Sequence, residues 1–128
     1  MLQRATKHSA GYDLRSVEPD FYIQPNQTKL IRTDIRLDLD ETQCGLICSR
    51  SGLACKHNII VLNSPAVIDA DYKDEVKIIL HNLGDKPFKV SYNMRIAQLV
   101  IINYQKLKGD DADCGEIRQG GFGSTGVD

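Results

Sequence analysis

The sequence predicts an all-β fold of the barrel or sandwich type. Short β-branched runs recur along the chain, and turn-forming residues separate them at roughly 8–12-residue intervals. Only one or two turns of helix are indicated. A chain of 128 residues is long enough for one domain with its own hydrophobic core. We expect this β domain to span residues 1–105, followed by a different kind of segment over 106–128.

Five segments carry the strand prediction. Residues 35–40 and 88–92 alternate apolar and polar side chains, which is the period of a half-buried strand. The runs 59–62, 76–80 and 99–102 are aliphatic and β-branched, a composition typical of strands buried on both faces. The predicted helix covers Gly52 to His57. The predicted turns are Pro25-Asn26, Gly45, Asn63-Ser64-Pro65, Gly84-Asp85 and Tyr92-Asn93.

The segment from Lys106 onward has a different composition. Residues 108–115 are polar and acidic, and residues 119–127 are rich in glycine with one aromatic side chain. This composition predicts a flexible arm rather than another strand.

Charge and hydropathy exclude several functional classes. The 16 basic and 17 acidic residues nearly cancel, so we expect no direct nucleic-acid partner and no attraction to anionic membranes. No secretion signal opens the sequence, and no apolar run approaches the roughly 20 residues of a membrane span. These features predict an intracellular protein, cytoplasmic or nuclear.

The four cysteines are Cys44, Cys48, Cys55 and Cys114. Cys44 and Cys48 have the spacing of half a zinc site, but no second pair and no histidine follow at ligand spacing. Free thiols in a reducing compartment are the better interpretation.

Two short segments suggest phosphate chemistry. Residues 49–54 read SRSGLA, in which Arg50, Ser51 and Gly52 meet the start of the predicted helix. Backbone N–H groups, an arginine and a glycine form an anion site in such a place, although a simple capped helix explains the pattern equally well. Residues 118–126 read RQGGFGSTG, which suits either a phosphate-cradling loop or a disordered tail.

The run VIDADY, residues 67–72, places two carboxylates among apolar residues. If it is a strand, Asp69 and Asp71 share one face, and either could orient and deprotonate a water. An edge strand with solvated charges is the alternative. In RIAQL, residues 95–99, Arg95 and Gln98 enter an apolar strand and need specific partners. The segment AGYDLRS, residues 10–16, by itself indicates only a turn leading into a strand.

Taken together and in this order, these segments resemble the five motifs of the trimeric dUTPase family. AGYDLRS, RSGLA, VIDADY, RIAQL and GGFGSTG all match, and the resemblance covers residues 10–126. It implies a β jelly-roll that assembles as a homotrimer with three sites, each built from all three subunits. It also implies Mg²⁺-dependent hydrolysis of dUTP to dUMP and pyrophosphate, which limits uracil in DNA and supplies dUMP for thymidylate synthesis.

The resemblance also implies a role for each motif residue. Asp69 holds the water that attacks the α-phosphorus, Tyr72 packs under the deoxyribose, and Asn63 lies at the uracil pocket. Asp13 reaches the Mg²⁺ through water. The triphosphate is held by Arg50, Ser51, Gly52 and Gln98, while the arm contributes Phe122 over the uracil and Arg118, Gly123, Ser124 and Thr125 at the substrate.

The sequence departs from the family pattern at several positions. Ala66 and Asp74 replace usual glycines, Ser49 replaces a usual proline, and the arm is one residue shorter between Arg118 and Phe122. About a strand's worth of residues is missing before Ala10, as expected of a trimmed or divergent chain. Two alternatives remain open on this basis: a dCTP deaminase relative, for which Glu75 is a poor candidate base, and a catalytically weakened homologue with a regulatory role.

Overall fold

The structure is a computed structural model, and it describes residues 2–109. One short helix and ten strands form this part of the chain. They are β1 (Gln3–Arg4), β2 (Tyr12–Arg15), β3 (Phe21–Ile23), β4 (Thr28–Ile35), β5 (Gln43–Cys48), α1 (Ser51–His57), β6 (Ile59–Val61), β7 (Ala66–Ile68), β8 (Val76–Asn82), β9 (Phe88–Val90) and β10 (Arg95–Asn103). The all-β prediction and the position of the single helix are both confirmed.

The strands form three antiparallel sheets. The largest has the order β1-β2-β10-β5-β7, the second pairs β3 with β9, and the third has the order β4-β8-β6. Consecutive strands often lie in different sheets, so the sheets enclose one core in the manner of a jelly-roll. No helix within residues 2–109 is long and apolar enough to cross a membrane.

The core is filled by every second residue along each strand, the one whose side chain faces inward. Along β8, buried and partly buried residues alternate strictly, with Ile78 and Leu80 almost inaccessible. Leu14 of β2, Ile47 of β5 and Leu99 of β10 reach the same core from the large sheet. The runs 59–62, 76–80 and 99–102 do contain strands. The expectation that both their faces are buried is wrong for the described residues, since Leu62 is 51% and Ile102 36% exposed.

The predicted strand over residues 35–40 is wrong beyond Ile35, where β4 ends. The β4–β8 register shifts between Arg32 and Ile35, and Asp34 adopts a φ of 58°, so the chain leaves the sheet there. Burial still alternates along residues 35–40, and Leu37 packs against the core. Side-chain bonds replace the ladder: the Arg36 guanidinium donates to the Lys73 carbonyl at 3.1 Å.

Two smaller predictions also need correction. Gly45 is not a turn residue but lies inside β5, where an added Cβ would come within 3.0 Å of the Leu99 side chain. The segment 88–92 forms a strand only to Val90, and Tyr92 is 64% exposed in the following turn. That turn was itself predicted, and Asn93 occupies it with a φ of 66°. The two residues of β1 pair with β2 in an antiparallel arrangement.

Candidate active site

A group of polar side chains lies on the outer face of the large sheet. Gln98 of β10 is directly opposite Asp13 of β2 on one side and Cys48 of β5 on the other. Residues directly opposite in an antiparallel pair project to the same face. The neighbouring pair of Leu14 and Ala97 faces the core, so Asp13 and Gln98 face outward.

A one-residue bulge brings a third polar side chain to this face. Arg95 and Gln98 are three residues apart, and strict alternation would direct them to opposite faces. The β10–β2 register shifts between Arg95 and Ala97, so that Arg95 lies opposite Arg15 while Gln98 lies opposite Asp13. Because Asp13 and Arg15 share a face, Arg95 and Gln98 share it as well.

Hydrogen bonds join these side chains to the segment that follows β5. The Arg95 guanidinium lies 3.7 Å from the Asp13 carboxylate, which is only 14% exposed. The Arg50 guanidinium donates to the Arg95 carbonyl at 3.1 Å, and the Gln98 amide donates to the Ser49 carbonyl at 3.0 Å. We refer to these five residues, Asp13, Ser49, Arg50, Arg95 and Gln98, as the polar cluster.

Gly11 is a further part of this arrangement that the sequence pattern did not single out. A Cβ built on Gly11 would collide with the side-chain oxygen of Gln98. Because Gly11 has no side chain, the Gln98 amide can pack against its backbone. The only sequence signal for this role is the glycine two residues before Asp13, which by itself looks like an ordinary turn residue.

The segment SRSGLA behaves as an open helix start. Arg50 is the N-cap of α1, and no side chain caps the helix. Ser51 and Gly52 are exposed, and a Cβ on Gly52 would meet no atom within 4 Å. The capped-helix interpretation therefore lacks its capping bond. Space and backbone donors are available at Ser51 and Gly52 for an anion.

Asp69 and Asp71 do not lie in a strand, so the condition under which the sequence placed both carboxylates on one face is not met. The strand β7 ends at Ile68, and the Tyr72 N–H then donates to the Asp69 carbonyl at 3.1 Å, which closes a turn. We call residues 69–72 the Asp69 turn. Asp69 is partly buried and Asp71 is exposed, so the two carboxylates are in different environments.

The phenol of Tyr72 fixes the end of this turn. Tyr72 is 9% exposed, and its hydroxyl donates to the Glu75 carbonyl at 2.7 Å. Burial raises the pKa of Tyr72, and the nearby Asp74 and Glu75 carboxylates raise it further, while Arg36 opposes them. The hydroxyl therefore stays protonated at neutral pH and remains a hydrogen-bond donor.

Glu75, the weak deaminase candidate, has a structural role in this fold. Its carboxylate accepts from the Arg32 guanidinium at 3.2 Å and from the Asp34 N–H at 2.8 Å. Burial raises its pKa, but these two donors together outweigh burial and lower the pKa overall. Asp74, which replaces a usual glycine, is exposed and lies 3.6 Å from the Arg36 guanidinium, so its added charge is partly offset.

The polar cluster and the Asp69 turn are not adjacent within one chain. Ile68, at the end of β7, is opposite Gly45, whereas Gln98 is opposite Cys48 three residues further along β5. With about 3.3 Å per residue along a strand and about 4.8 Å between strands, Gln98 and Ile68 are roughly 14 Å apart. Asn63 lies in the exposed turn between β6 and β7, beyond the other end of β7.

The side chains at the site suit a cation that binds together with the substrate phosphates. Those that the structure describes do not form a complete metal site of their own. Within residues 2–109, no three His, Cys, Asp or Glu side chains are grouped to hold a metal. Cys44, Cys48 and Cys55 are free thiols. Asp13 lines a cavity of about 430 Å³ together with Arg15, Asp34 and other polar residues. The proposed contacts of Arg118, Phe122, Gly123, Ser124 and Thr125, as well as Cys114, lie outside the described residues.

Comparison with known proteins identifies the class. The sequence matches the dUTPase family over residues 1–126. It is 45% identical over 127 residues to the deoxyuridine 5'-triphosphate nucleotidohydrolase of Rickettsia felis, covering 96% of this chain and 86% of that protein. The fold superposes on the crystal structure of the Streptococcus mutans dUTPase with a TM-score of 0.79 at 23% identity, covering 85% of this chain and 89% of that one.

A further similar structure is a variant of the Staphylococcus bacteriophage 80alpha dUTPase with dUpNHpp. Its TM-score is 0.77 at 25% identity, and the match covers 99% of this chain and 92% of that one. The jelly-roll and the sequence matches together define a nucleotide hydrolase. The chain belongs to the dUTPase family. Its activity is that of a dUTP diphosphatase, which hydrolyses dUTP to dUMP and pyrophosphate.

Proposed function

We propose that Arg50, Ser51, Gly52 and Gln98 hold the triphosphate of dUTP and that the Asp69 turn of a second copy of the chain supplies the general base. The observation that carries this proposal is the separation of roughly 14 Å between Gln98 and the end of β7. A general base acts within hydrogen-bond reach of its water, and that water must reach the phosphorus that those four residues hold. Two copies, rather than one, satisfy both conditions.

In this proposal the residues that hold the triphosphate are already in position before the substrate binds. Arg50 and Gln98 are already held by hydrogen bonds, and Ser51 and Gly52 leave the start of α1 open. Such fixed donors stabilise the charge that develops on the phosphate oxygens without reorganising during the reaction. Arg118, Gly123, Ser124 and Thr125 would add donors from the arm.

The Asp69 turn provides the water and the nucleoside contacts. The Asp69 carboxylate accepts a hydrogen bond from the water, directs it at the α-phosphorus and takes its proton as the bond to pyrophosphate breaks. The ring of Tyr72 packs under the deoxyribose, where a ribose 2'-hydroxyl would clash. Asn63 contacts the uracil, and Phe122 closes over it.

We propose Mg²⁺ as the metal, with Asp13 as its protein contact. Mg²⁺ prefers oxygen ligands, keeps several waters and binds mainly through substrate phosphates, so a single protein carboxylate is a sufficient contact. When bound, the ion would neutralise charge on the phosphates. The Arg95 guanidinium, 3.7 Å from the Asp13 carboxylate, keeps that carboxylate oriented toward the cluster.

An apolar patch on the large sheet supports the proposal that the chain forms a homotrimer. On the outer face of the large sheet, next to the polar cluster along β5 and β10, lie Leu46, Val67, Val100 and Ile102, which share a face by register. Val67 is 59% exposed, and a contiguous patch of this kind marks an interface. The free thiols suit a reducing compartment, and we propose an intracellular location, cytoplasmic or nuclear.

Mixed assemblies test the shared site. At dUTP concentrations well below KM, Asp69→Asn chains should be nearly inactive because they lack the base, and Gln98→Ala chains should have low activity because they lack a phosphate contact. Co-refolded in equal amounts, they should recover activity at roughly a quarter of sites, since each donor chain is intact half the time. Pyrophosphate release is measured on mixtures shown by native mass spectrometry to contain heterotrimers. Inactive heterotrimers would mean that both residues come from one chain.

A further inference from the structure

Ser49 connects Gln98 of the polar cluster to the turn between β6 and β7. Its carbonyl accepts the Gln98 amide at 3.0 Å. Its own N–H donates to the Ser64 hydroxyl at 3.2 Å, and its hydroxyl accepts the Val61 N–H at 2.8 Å. One partly buried residue is thus bonded to three separate segments of the chain, namely β10, β6 and the β6–β7 turn.

Two of these three bonds depend on the residue type. A proline, which the family pattern usually has at this position, has neither an N–H nor a hydroxyl and could make neither bond. The third bond, to Gln98, uses the carbonyl that any residue offers. In this chain the position of that carbonyl is therefore fixed by two anchors that only a residue with an N–H and a hydroxyl provides.

We propose that Ser49 is a positioning residue for dUTP hydrolysis: its anchors to Ser64 and Val61 hold the carbonyl that orients the Gln98 amide. The inference rests on the proposed role of Gln98 in holding the triphosphate. Ser49 also directly precedes Arg50, so the same anchors fix where the segment from Arg50 to Gly52 begins. Ser49 itself makes no contact with substrate in this proposal.

Binding of a non-hydrolysable dUTP analogue with Mg²⁺, followed by calorimetry, tests the inference. Ser49→Ala removes the Val61 anchor, and Ser64→Ala removes the other. Each should weaken binding about tenfold, the effect of leaving one partly buried donor without its partner and letting the loop shift. Ser49→Thr keeps both bonds and should stay within about twofold of the unaltered protein. KM for dUTP should rise in parallel.

A double-mutant comparison separates positioning from simple stability. If Ser49 acts through Gln98, Ser49→Ala should weaken binding little further in a Gln98→Ala background. The matched control is Thr28→Ala, which removes a 2.8 Å bond to His81 in the β4-β8-β6 sheet and should leave nucleotide binding unchanged. Unfolding midpoints are measured for every variant.

Three outcomes distinguish the possible failures. Unchanged binding in both Ser49→Ala and Ser64→Ala, with only a lower unfolding midpoint, overturns the positioning role. Additive effects of Ser49→Ala and Gln98→Ala overturn the route through Gln98. If Gln98→Ala itself leaves binding unchanged, the proposed phosphate role of Gln98 is what fails.

Discussion

The polar cluster and the Asp69 turn are held by the chain in different ways. The cluster lies across three paired strands, and its side chains are joined by bonds between residues far apart in sequence, such as Gln98 to Ser49. The Asp69 turn follows the edge strand β7 and is closed by local bonds, from Tyr72 to Asp69 and to Glu75.

This difference matches the division of work proposed for the two regions. Phosphate binding requires several hydrogen-bond donors in fixed positions, and the central strands of a sheet hold side chains in such positions. A water-activating carboxylate and a sugar-contacting ring must fit against a second copy of the chain, which a turn at a sheet edge allows. The comparison therefore predicts that substitutions in the Asp69 turn lower the turnover rate, whereas substitutions in the polar cluster weaken nucleotide binding.

The largest expected effect is in the turn. Asp69→Asn should lower turnover by about 10²–10⁴-fold, since the amide is nearly isosteric but cannot take a proton. Binding of a non-hydrolysable dUTP analogue should persist. Asp71→Asn, two residues further along the same turn and exposed, is the matched control and should remain active. Near-normal turnover of Asp69→Asn together with an inactive Asp71→Asn would transfer the base to Asp71.

The next effect sharpens the role of the cluster. Gly11→Ala should displace the Gln98 side chain, because the added methyl occupies its place. We expect KM for dUTP to rise by about tenfold with a smaller change in kcat, as is usual when a binding contact is lost. Steady-state kinetics measure both constants. A loss confined to kcat would show that Gly11 and Gln98 serve the chemical step instead.

A smaller effect concerns stability beneath the Asp69 turn. Glu75→Gln should lower the free energy of unfolding at pH 7 by about 1 kcal/mol, since the charge-assisted bonds to Arg32 and the Asp34 N–H weaken. The folded pKa of Glu75 lies below its ordinary value of 4.5, so this stabilisation is present above that pH and is lost as the pH falls further.

Urea unfolding at a series of pH values measures this dependence. The difference between the unaltered protein and Glu75→Gln should be constant from pH 7 to about pH 5 and should shrink below the ordinary glutamate pKa. A difference that grows in acid would contradict the assigned direction of the pKa shift.

The smallest effect tests the departure at Asp74. Its carboxylate is 60% exposed and pairs with an exposed Arg36, and such pairs contribute little. Asp74→Gly should therefore change kcat/KM for dUTP by no more than about twofold. Arg36→Gln, which leaves the carboxylate without this partner, should lower kcat/KM more than Asp74→Gly changes it. A large gain for Asp74→Gly would show that this charge does repel the substrate.

Much of the fold was predictable because its signals are local. Strand alternation, β-branched runs and the short helix at Gly52–His57 depend on neighbouring residues alone. The predictions failed where a non-local partner decides: residues 36–40 alternate correctly but have no ladder, and Gly45 lies in β5 because it pairs with Ile101 and Ile68.

The candidate site was predicted as a set of motifs, and the family that they indicated is confirmed over residues 1–126. The individual roles of Asp13, Arg50, Asn63, Asp69, Tyr72 and Gln98 remain proposals. The motif order could not show that Gly11 makes room for Gln98 or that Ser49 is bonded to the β6–β7 turn. Those relations join residues tens of positions apart.

By itself the sequence determined an all-β domain, one short helix and family membership, because these follow from side-chain periodicity and from residue types in a fixed order. Only the tertiary structure decided which side chains meet. The bulge in β10 directs Arg95 and Gln98 to the same face, which strict alternation would not do. Strand register likewise separates the Asp69 turn from the polar cluster within one chain. Register and bulges arise from pairing between distant strands, so no local pattern specifies them.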